Sequence, residues 1–430
     1  MPTPYQFETL CLHAGHVPDA ETRSRAVPVY RTTSYVFDDS DYAADLFSMK
    51  RPGNIYTRIM NPTQAVLEKR MAALEGGADA LALASGTAAI YYSIINICSA
   101  GDAVVSANNL YGGTITMFSN ILPQFDIRVN FVDPRDPKNF ESAITEKTRA
   151  LFVEAIGNPA LEVTDIAAVA EIGKKYHLPV IVDATFVTPY LLRPLDYGAD
   201  IVVHSMTKWI GGHGTGVGGI VVDGGRFDWT DPKFDLYNTP DPSNFNIRFA
   251  SDLGEDNAIA FITRMRQVPL RNLGACISPD NAWLFLQGLE TLPLRMERHC
   301  DNAMQVARFL QSHSDAAWVR YPGLPEDPAY PTASRYLSRG FGAMVVFGIR
   351  GGRESGKCFI DSLKLFSQLA NVGDAKSLAL HPASTTHSQL TEAQQIAGGL
   401  SPDMIRLSIG IENINDILGD LAQAFDKASS

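Results

Sequence analysis

The stretch "ADIVVHSMTKWIGGHGTGVGG", Ala199 to Gly219, sets one lysine between an apolar run and a cluster of glycines. Ser205 and Thr207 precede Lys208, and the next acidic residue along the chain is Asp223. An ammonium with few counter-charges in an apolar setting is driven toward its neutral amine, the form that adds to a carbonyl. The competing reading is an ordinary solvated loop lysine. Gly214, Gly216 and Gly219 match GxGxxG spacing, but "GGIVVDGG" continues as strand and turn where a dinucleotide loop needs a helix. A P-loop is absent because the lysine comes before the glycines. The glycines are instead read as clearance for something bulky beside the lysine.

Upstream, Asp183 ends the run "PVIVDAT". A strand-end aspartate is commonly a cap or turn former; near such a lysine it also suits a pyridinium nitrogen, which a carboxylate keeps protonated as an electron sink. "ALASGTAAI" places Ser85, Gly86 and Thr87 where a strand gives way to a helix. The first amides of that helix are unpaired and lie at its positive dipole end, which makes a phosphate cradle. Lysine, aspartate and cradle together describe a site for pyridoxal 5′-phosphate. In "MIRLSIGIE", alternation puts Ile405, Leu407, Ile409 and Ile411 on one face and Arg406, Ser408 and Glu412 on the other. An arginine fork there fits an amino-acid carboxylate, and a salt bridge to Glu412 is the alternative.

These groups need rigid elements to position them. From residue 79 to 222, short apolar runs alternate with helix-like segments such as "TDIAAVAEIGKKYH". That pattern predicts an α/β domain with a mostly parallel central sheet and helices on both faces. Lys208 and Asp183 then sit at carboxyl ends of strands, where open α/β sheets bind ligands. Residues 1–62 read as an N-terminal arm reaching a neighbouring subunit. Residues 63–290 read as the cofactor-binding large domain, with a turn-rich excursion over about 223–279. Residues 291–430 read as a smaller α+β C-terminal domain.

Bulk properties narrow the classes. The chain has 430 residues, 45% hydrophobic, enough for more than one core. A net charge of −11 without any Lys/Arg block argues against nucleic acid and anionic membrane as partners. The five scattered cysteines have no CxxC spacing, which suggests neither a zinc site nor a disulfide framework. No metal is called for. The uncharged run Ala80 to Gly101 reads as a buried strand and helix, and "MPTPYQFETLCLHAGH" has no signal-peptide pattern, so a cytoplasmic protein is expected.

In combination, "ASGTAAI", "NLYGGT", "EAIGNPALEVTDI", "VDATFVTPY", "HSMTKWIGGHG" and "RLSIGIE" resemble the Cys/Met-metabolism family of pyridoxal phosphate enzymes over nearly the whole chain. The resemblance implies the fold type I transferase architecture. It implies that Lys208 forms the Schiff base and carries protons, that Asp183 meets the pyridine nitrogen, and that Ser85, Gly86, Thr87, Ser205 and Thr207 surround the phosphate. Thr87 stands where the family commonly has Met, a change that a backbone contact tolerates. Tyr111 would stack on the cofactor ring and assist proton transfer, although alone it reads as a loop tyrosine. Asn158, otherwise an Asn-Pro turn residue, would lie near the cofactor's phenolic oxygen and the substrate. Arg406, with Ser377 nearby, would hold the substrate carboxylate. Tyr56 and Arg58 in "NIYTRIMNPT" would reach the phosphate of an adjacent subunit, implying a homo-oligomer with shared sites, by analogy a tetramer.

Members of the family perform β-elimination, γ-elimination or γ-replacement. "NVGDAKSLALHPASTTHSQL" and the 223–279 insertion resemble the branch that joins O-acetyl-L-homoserine to sulfide or a small thiol. Gly113 stands where methionine γ-lyases carry cysteine, and Lys376 where cystathionine synthases and lyases usually have glutamate. γ-Elimination, a cystathionine-type replacement, an O-succinyl donor and a non-catalytic relative are the alternatives.

Overall fold

Seven short runs rich in Val, Ile, Leu and Ala form β1 (Asp79–Leu83), β2 (Ala103–Ala107), β3 (Arg128–Val132), β4 (Thr148–Glu154), β5 (Val180–Asp183), β6 (Ile201–Ser205) and β7 (Gly219–Asp223). This is a computed structural model that describes residues 5–385 and 401–428, so residues 386–390 of the "NVGDAKSLALHPASTTHSQL" motif lie outside it. The seven strands pair in the order β1-β7-β6-β5-β4-β2-β3. β7 runs antiparallel to both neighbours, and the remaining pairs are parallel. Every residue of β2 and β7 is buried, as in a sheet covered on both faces.

Glu154, Asp183 and Ser205 are the last residues of β4, β5 and β6. The parallel sheet therefore delivers three polar side chains to one edge, where its strands' carboxyl ends open a crevice. The helix Gly86–Ile95 starts directly after β1 and is capped by Ser85. The helix Ile166–Tyr176 opens at Asp165, whose side chain accepts from the Ala168 amide, and closes on Lys174 and Lys175. Among the described residues no helix is long and apolar enough to cross a membrane. All five cysteines are free.

A second sheet contains β8 (Ala316–Arg320), β9 (Met344–Ile349), β10 (Ser367–Gln368), β11 (Leu378–Leu380) and β12 (Met404–Ser408), in the order β10-β11-β12-β9-β8. Helices Leu292–Ser312, Gly352–Ser362 and Ile414–Ala428 cover it. Val306, Phe347, Phe359, Leu421 and Phe425 belong to its own core.

Two segments differ from their sequence reading. Residues 223–279 are no excursion: Trp229, Phe234, Tyr237, Phe249 and Phe261 are each at most 3% exposed. Trp229 stacks on Tyr237 at 4.3 Å and on Phe261 at 5.5 Å between ring centroids. Irregularly spaced aromatics bury this segment, and a periodicity search does not register them. Within residues 1–62, the helix Phe7–His13 packs Phe7, Leu10 and Cys11 into the chain's own main core. Farther along, Val17 and Val36 are 83% and 97% exposed.

Candidate active site

The crevice at the ends of β4, β5 and β6 is a cavity of about 230 Å³. Ten of the sequence-selected residues line it: Ser85, Gly86, Thr87, Tyr111, Asn158, Asp183, Ser205, Thr207, Lys208 and Arg406. After β6 the chain makes a tight turn, in which the Gly211 amide donates to the Met206 carbonyl (2.8 Å) and the Gly212 amide to the Lys208 carbonyl (2.7 Å). This turn presents the Lys208 side chain to the cavity. Among the described residues no carboxylate pairs with it; Nζ donates to Asn371 Oδ1 at 2.5 Å. Burial, with the charge of Arg406 acting the same way, lowers the Lys208 pKa to about 8.

The candidate phosphate cradle is built by close approach. Ser85 Oγ accepts from the Ala88 amide at 3.0 Å, so the Gly86 and Thr87 amides of the first turn have no partner within the helix. A Cβ on Gly86 would fall 2.6 Å from Ser205 Cβ, so only glycine lets the helix start meet the β6 terminus. Thr207 Oγ1 is partly committed, accepting from the Gly218 amide at 3.1 Å.

Asp183 Oδ1 accepts from the Thr185 amide (2.9 Å) and the Thr185 hydroxyl (2.5 Å). Oδ2 has no donor among the described residues, and Asp183 lines the cavity. Burial raises the Asp183 pKa, while the Thr185 bonds and His204 pull it down. A cationic ring N–H in the cavity would favour the charged carboxylate and fill its unused acceptor. One strand over, in register, Glu154 Oε1 accepts from the Tyr111 amide at 2.6 Å. Burial first, and the charge of Asp183 second, raise Glu154 well above the usual carboxyl range. The Tyr111 ring lies over Gly113, where a Cβ would fall 2.5 Å from Cε1.

Arg406 projects from β12, and its Nη1 donates to Asn158 Oδ1 at 3.1 Å. Burial lowers its pKa to about 10, still far above neutrality. The expected competitor for this arginine is occupied elsewhere, because Glu412 accepts from the Ser377 amide (2.6 Å) and hydroxyl (2.9 Å). Ser377 is fully buried in that loop and does not line the cavity, contrary to the expected substrate contact. The Tyr56–Arg58 pair also lies away from this chain's cavity, with the Arg58 guanidinium 5.1 Å from the Tyr56 ring centroid. Arg58 Nε is buried and has no hydrogen-bond partner among the described residues.

Gly212, Gly218 and Gly219, after Lys208, clear space for neighbouring protein groups. Added Cβ atoms would fall 2.1 Å from Arg295 Nη1 at Gly212, 2.3 Å from the Phe285 ring at Gly218, and 2.1 Å from the Ser85 carbonyl at Gly219. Sequence reasoning also missed Asn371, Thr185 and Glu154. Glu154 ends an apolar run as Asp183 does, and Thr185 follows Asp183 at Asx-turn spacing. Asn371 sits in a loop whose place beside Lys208 depends on tertiary contact alone.

An unpaired amine of lowered pKa, a buried carboxylate lacking a cation and an amide cradle define a cofactor-dependent enzyme of amino-acid chemistry, and all three fit pyridoxal 5′-phosphate. The chain belongs to the Cys/Met metabolism PLP-dependent enzyme family, whose model matches residues 8–426. It is 54% identical to an O-acetyl-L-homoserine sulfhydrylase of Leptospira meyeri, over 99% of this chain and 97% of that one. It is 48% identical to a homocysteine synthase of Schizosaccharomyces pombe, over 98% of each. A crystal structure of a putative O-acetylhomoserine (thiol)-lyase from Campylobacter jejuni, holding N'-pyridoxyl-lysine-5'-monophosphate, superposes with a TM-score of 0.94 at 40% identity. That match covers 98% of this chain and 100% of the other and carries the fold type I architecture.

Proposed function

We propose that the chain joins O-acetyl-L-homoserine to sulfide, giving L-homocysteine and acetate. The cavity's charge inventory carries this reading. Among the described residues its cationic side chains are Lys208 and Arg406, and Ile90, Ile156, Phe186, Val217, Ala370 and Val372 make apolar wall. Arg406 serves the α-carboxylate and Lys208 acts at the amino end, so this chain's described lining leaves no cation for a succinyl carboxylate, a phosphoryl group or a second amino acid. A neutral acetyl ester and a small nucleophile match what remains. The names of the relatives above support the same reaction.

Bound pyridoxal 5′-phosphate supplies an aldehyde for amine exchange and a ring that takes up carbanion electrons. The chain's residues do the rest. The Gly86 and Thr87 amides and the Ser205 hydroxyl hold the phosphate. Asp183 keeps the ring nitrogen protonated, and Arg406 takes the substrate carboxylate with the donors that Asn158 leaves free. With a pKa of about 8, Lys208 is roughly one-quarter neutral at pH 7.5, against about one-thousandth at its ordinary value. Its Nζ can therefore accept the α-proton, pass it on, then accept a β-proton, and both protons return to the carbon chain once sulfur has added. The γ C–O bond breaks with its electron pair leaving on acetate, and hydrosulfide forms the new γ C–S bond. Tyr111, an exposed residue of the cavity lining, covers the ring and shuttles a proton in this reading.

The finer points belong to the same reading. Tyr56 and Arg58, paired outside this chain's cavity, complete the phosphate site of a second copy, so the working form is a homo-oligomer, a tetramer by family analogy. The apolar wall also admits methanethiol, and the free thiols suit the cytoplasm. Purified enzyme should be assayed with acetyl-, succinyl- and phospho-homoserine against sulfide, methanethiol and cysteine. Selective turnover of the acetyl ester with sulfide is expected, and Lys208→Ala should abolish it. Preference for a charged acyl group, or turnover by cofactor-loaded Lys208→Ala, refutes the proposal.

A further inference from the structure

The helix Leu292–Ser312 carries three buried polar side chains, Arg295, His299 and Asn302, which are 5%, 0% and 2% exposed. Groups so buried need partners, and a guanidinium most of all. Among the described residues Arg295 has no carboxylate partner. Its Nη1 donates to the Trp209 carbonyl (2.7 Å), Nη2 to the Ile210 (3.2 Å) and Gly288 (2.7 Å) carbonyls, and Nε to Thr291 Oγ1 (3.2 Å). Trp209 and Ile210 are the two residues that follow Lys208. Two glycines allow this meeting: a Cβ would fall 2.1 Å from Nη1 at Gly212 and 2.3 Å from the Ile210 carbonyl at Gly288.

One turn farther along, His299 Nδ1 donates to the Ile409 carbonyl at 2.6 Å. Burial lowers its pKa to about 4, so the ring is neutral and the proton sits on Nδ1. Asn302 Nδ2 donates to the Gly410 and Glu412 carbonyls, both at 2.9 Å. These acceptors lie just beyond β12, the strand that carries Arg406. Spacings of four and then three residues put all three donors on one helix face.

We infer that this polar stripe is a template that fixes where Lys208 and Arg406 stand relative to each other. Arg295 holds the turn that presents the amine; His299 and Asn302 hold the exit of the strand that presents the guanidinium. None of the three lines the cavity, so they are positioning residues. An amino acid offers its nitrogen and carboxylate at a set separation, and a misplacement of about 1 Å can cost about 100-fold in rate. The inference rests on the roles given above to Lys208 and Arg406.

The test uses Arg295→Lys, Asn302→Ser, His299→Leu and His299→Gln in the purified full chain. Four quantities are read: thermal midpoint, cofactor dissociation constant of the resolved protein, pH midpoint of the cofactor's visible band, and kcat and KM for O-acetyl-L-homoserine. Arg295→Lys should weaken cofactor binding about 10-fold and move the pH midpoint. Asn302→Ser and His299→Leu should leave cofactor binding in place and raise KM about 10-fold, with His299→Gln, whose amide can still donate, recovering most of the loss. A lowered thermal midpoint with cofactor affinity, band midpoint and KM all unchanged overturns the template. If Arg295→Lys yields no folded protein, the contrast between His299→Leu and His299→Gln decides through KM. The cofactor measurements need no acylated substrate, so a wild-type enzyme inert toward O-acetyl-L-homoserine would sink the proposed reaction and leave this inference to them.

Discussion

The lowered pKa of Lys208 predicts how the cofactor-free protein captures pyridoxal 5′-phosphate as pH changes. Only the neutral amine attacks the aldehyde. With a pKa of about 8, the neutral fraction rises from roughly 9% at pH 7 to roughly 91% at pH 9, about 10-fold, and then saturates. An ordinary lysine would rise about 100-fold over the same interval and keep rising. Stopped-flow capture rates on resolved protein between pH 6.5 and 10 distinguish the two curves. Burial is the larger cause and Arg406 the lesser, so Arg406→Gln should move the inflection upward without restoring the ordinary value. A rate that climbs without inflection through pH 10 in the wild type would refute the picture of a desolvated, unpaired amine. An inflection near 8 that ignores Arg406→Gln would refute the electrostatic contribution alone.

Further outcomes test other parts of the site. Gly86→Ala, which forces a Cβ to within 2.6 Å of Ser205 Cβ, should weaken cofactor binding at least 10-fold in equilibrium dialysis; unchanged affinity would contradict the cradle. Glu154→Leu should release the Tyr111 amide and lower kcat/KM about 10-fold, whereas Glu154→Gln keeps the acceptor and should stay near wild type in steady-state assays. Inactive Lys208→Ala and Arg58→Ala proteins, unfolded and refolded together, should regain activity at about one-quarter of sites if each cavity is completed by a second copy. No regain means that the sites are not shared. Burial, reinforced by Asp79 and Asp200, raises Asp223 to about 7, so the stability of its protonated form is present below the ordinary carboxyl pKa and lost as pH rises through 7. Melting curves should then show Asp223→Asn gaining on the wild type between pH 5 and pH 8, and a pH-independent difference would contradict the shift.

The strands and the charged ends of the sheet were readable because a parallel sheet buried on both faces writes itself as short apolar runs. Lys208 and Asp183 stood out as polar residues where such runs stop. The same signal marked Glu154 and went unused. A sequence shows that Gly212, Gly218 and Gly219 need space without showing what fills it; Arg295, Phe285 and the Ser85 carbonyl do. Residues 223–279 looked like an excursion because turn formers dominate their composition, while the aromatics that bury them follow no period. Ser377 and Asn371 share one loop, yet the first turns inward to Glu412 and the second faces Lys208, a choice made only by tertiary packing.

The central claim is a γ-replacement, and isotope-labelled sulfide tests it most directly. Purified holoenzyme given O-acetyl-L-homoserine and ³⁴S-sulfide should release acetate and ³⁴S-homocysteine in equal amounts by mass spectrometry. Acetate accompanied by ammonia and 2-oxobutanoate, with no label in homocysteine, would show elimination instead and contradict the account.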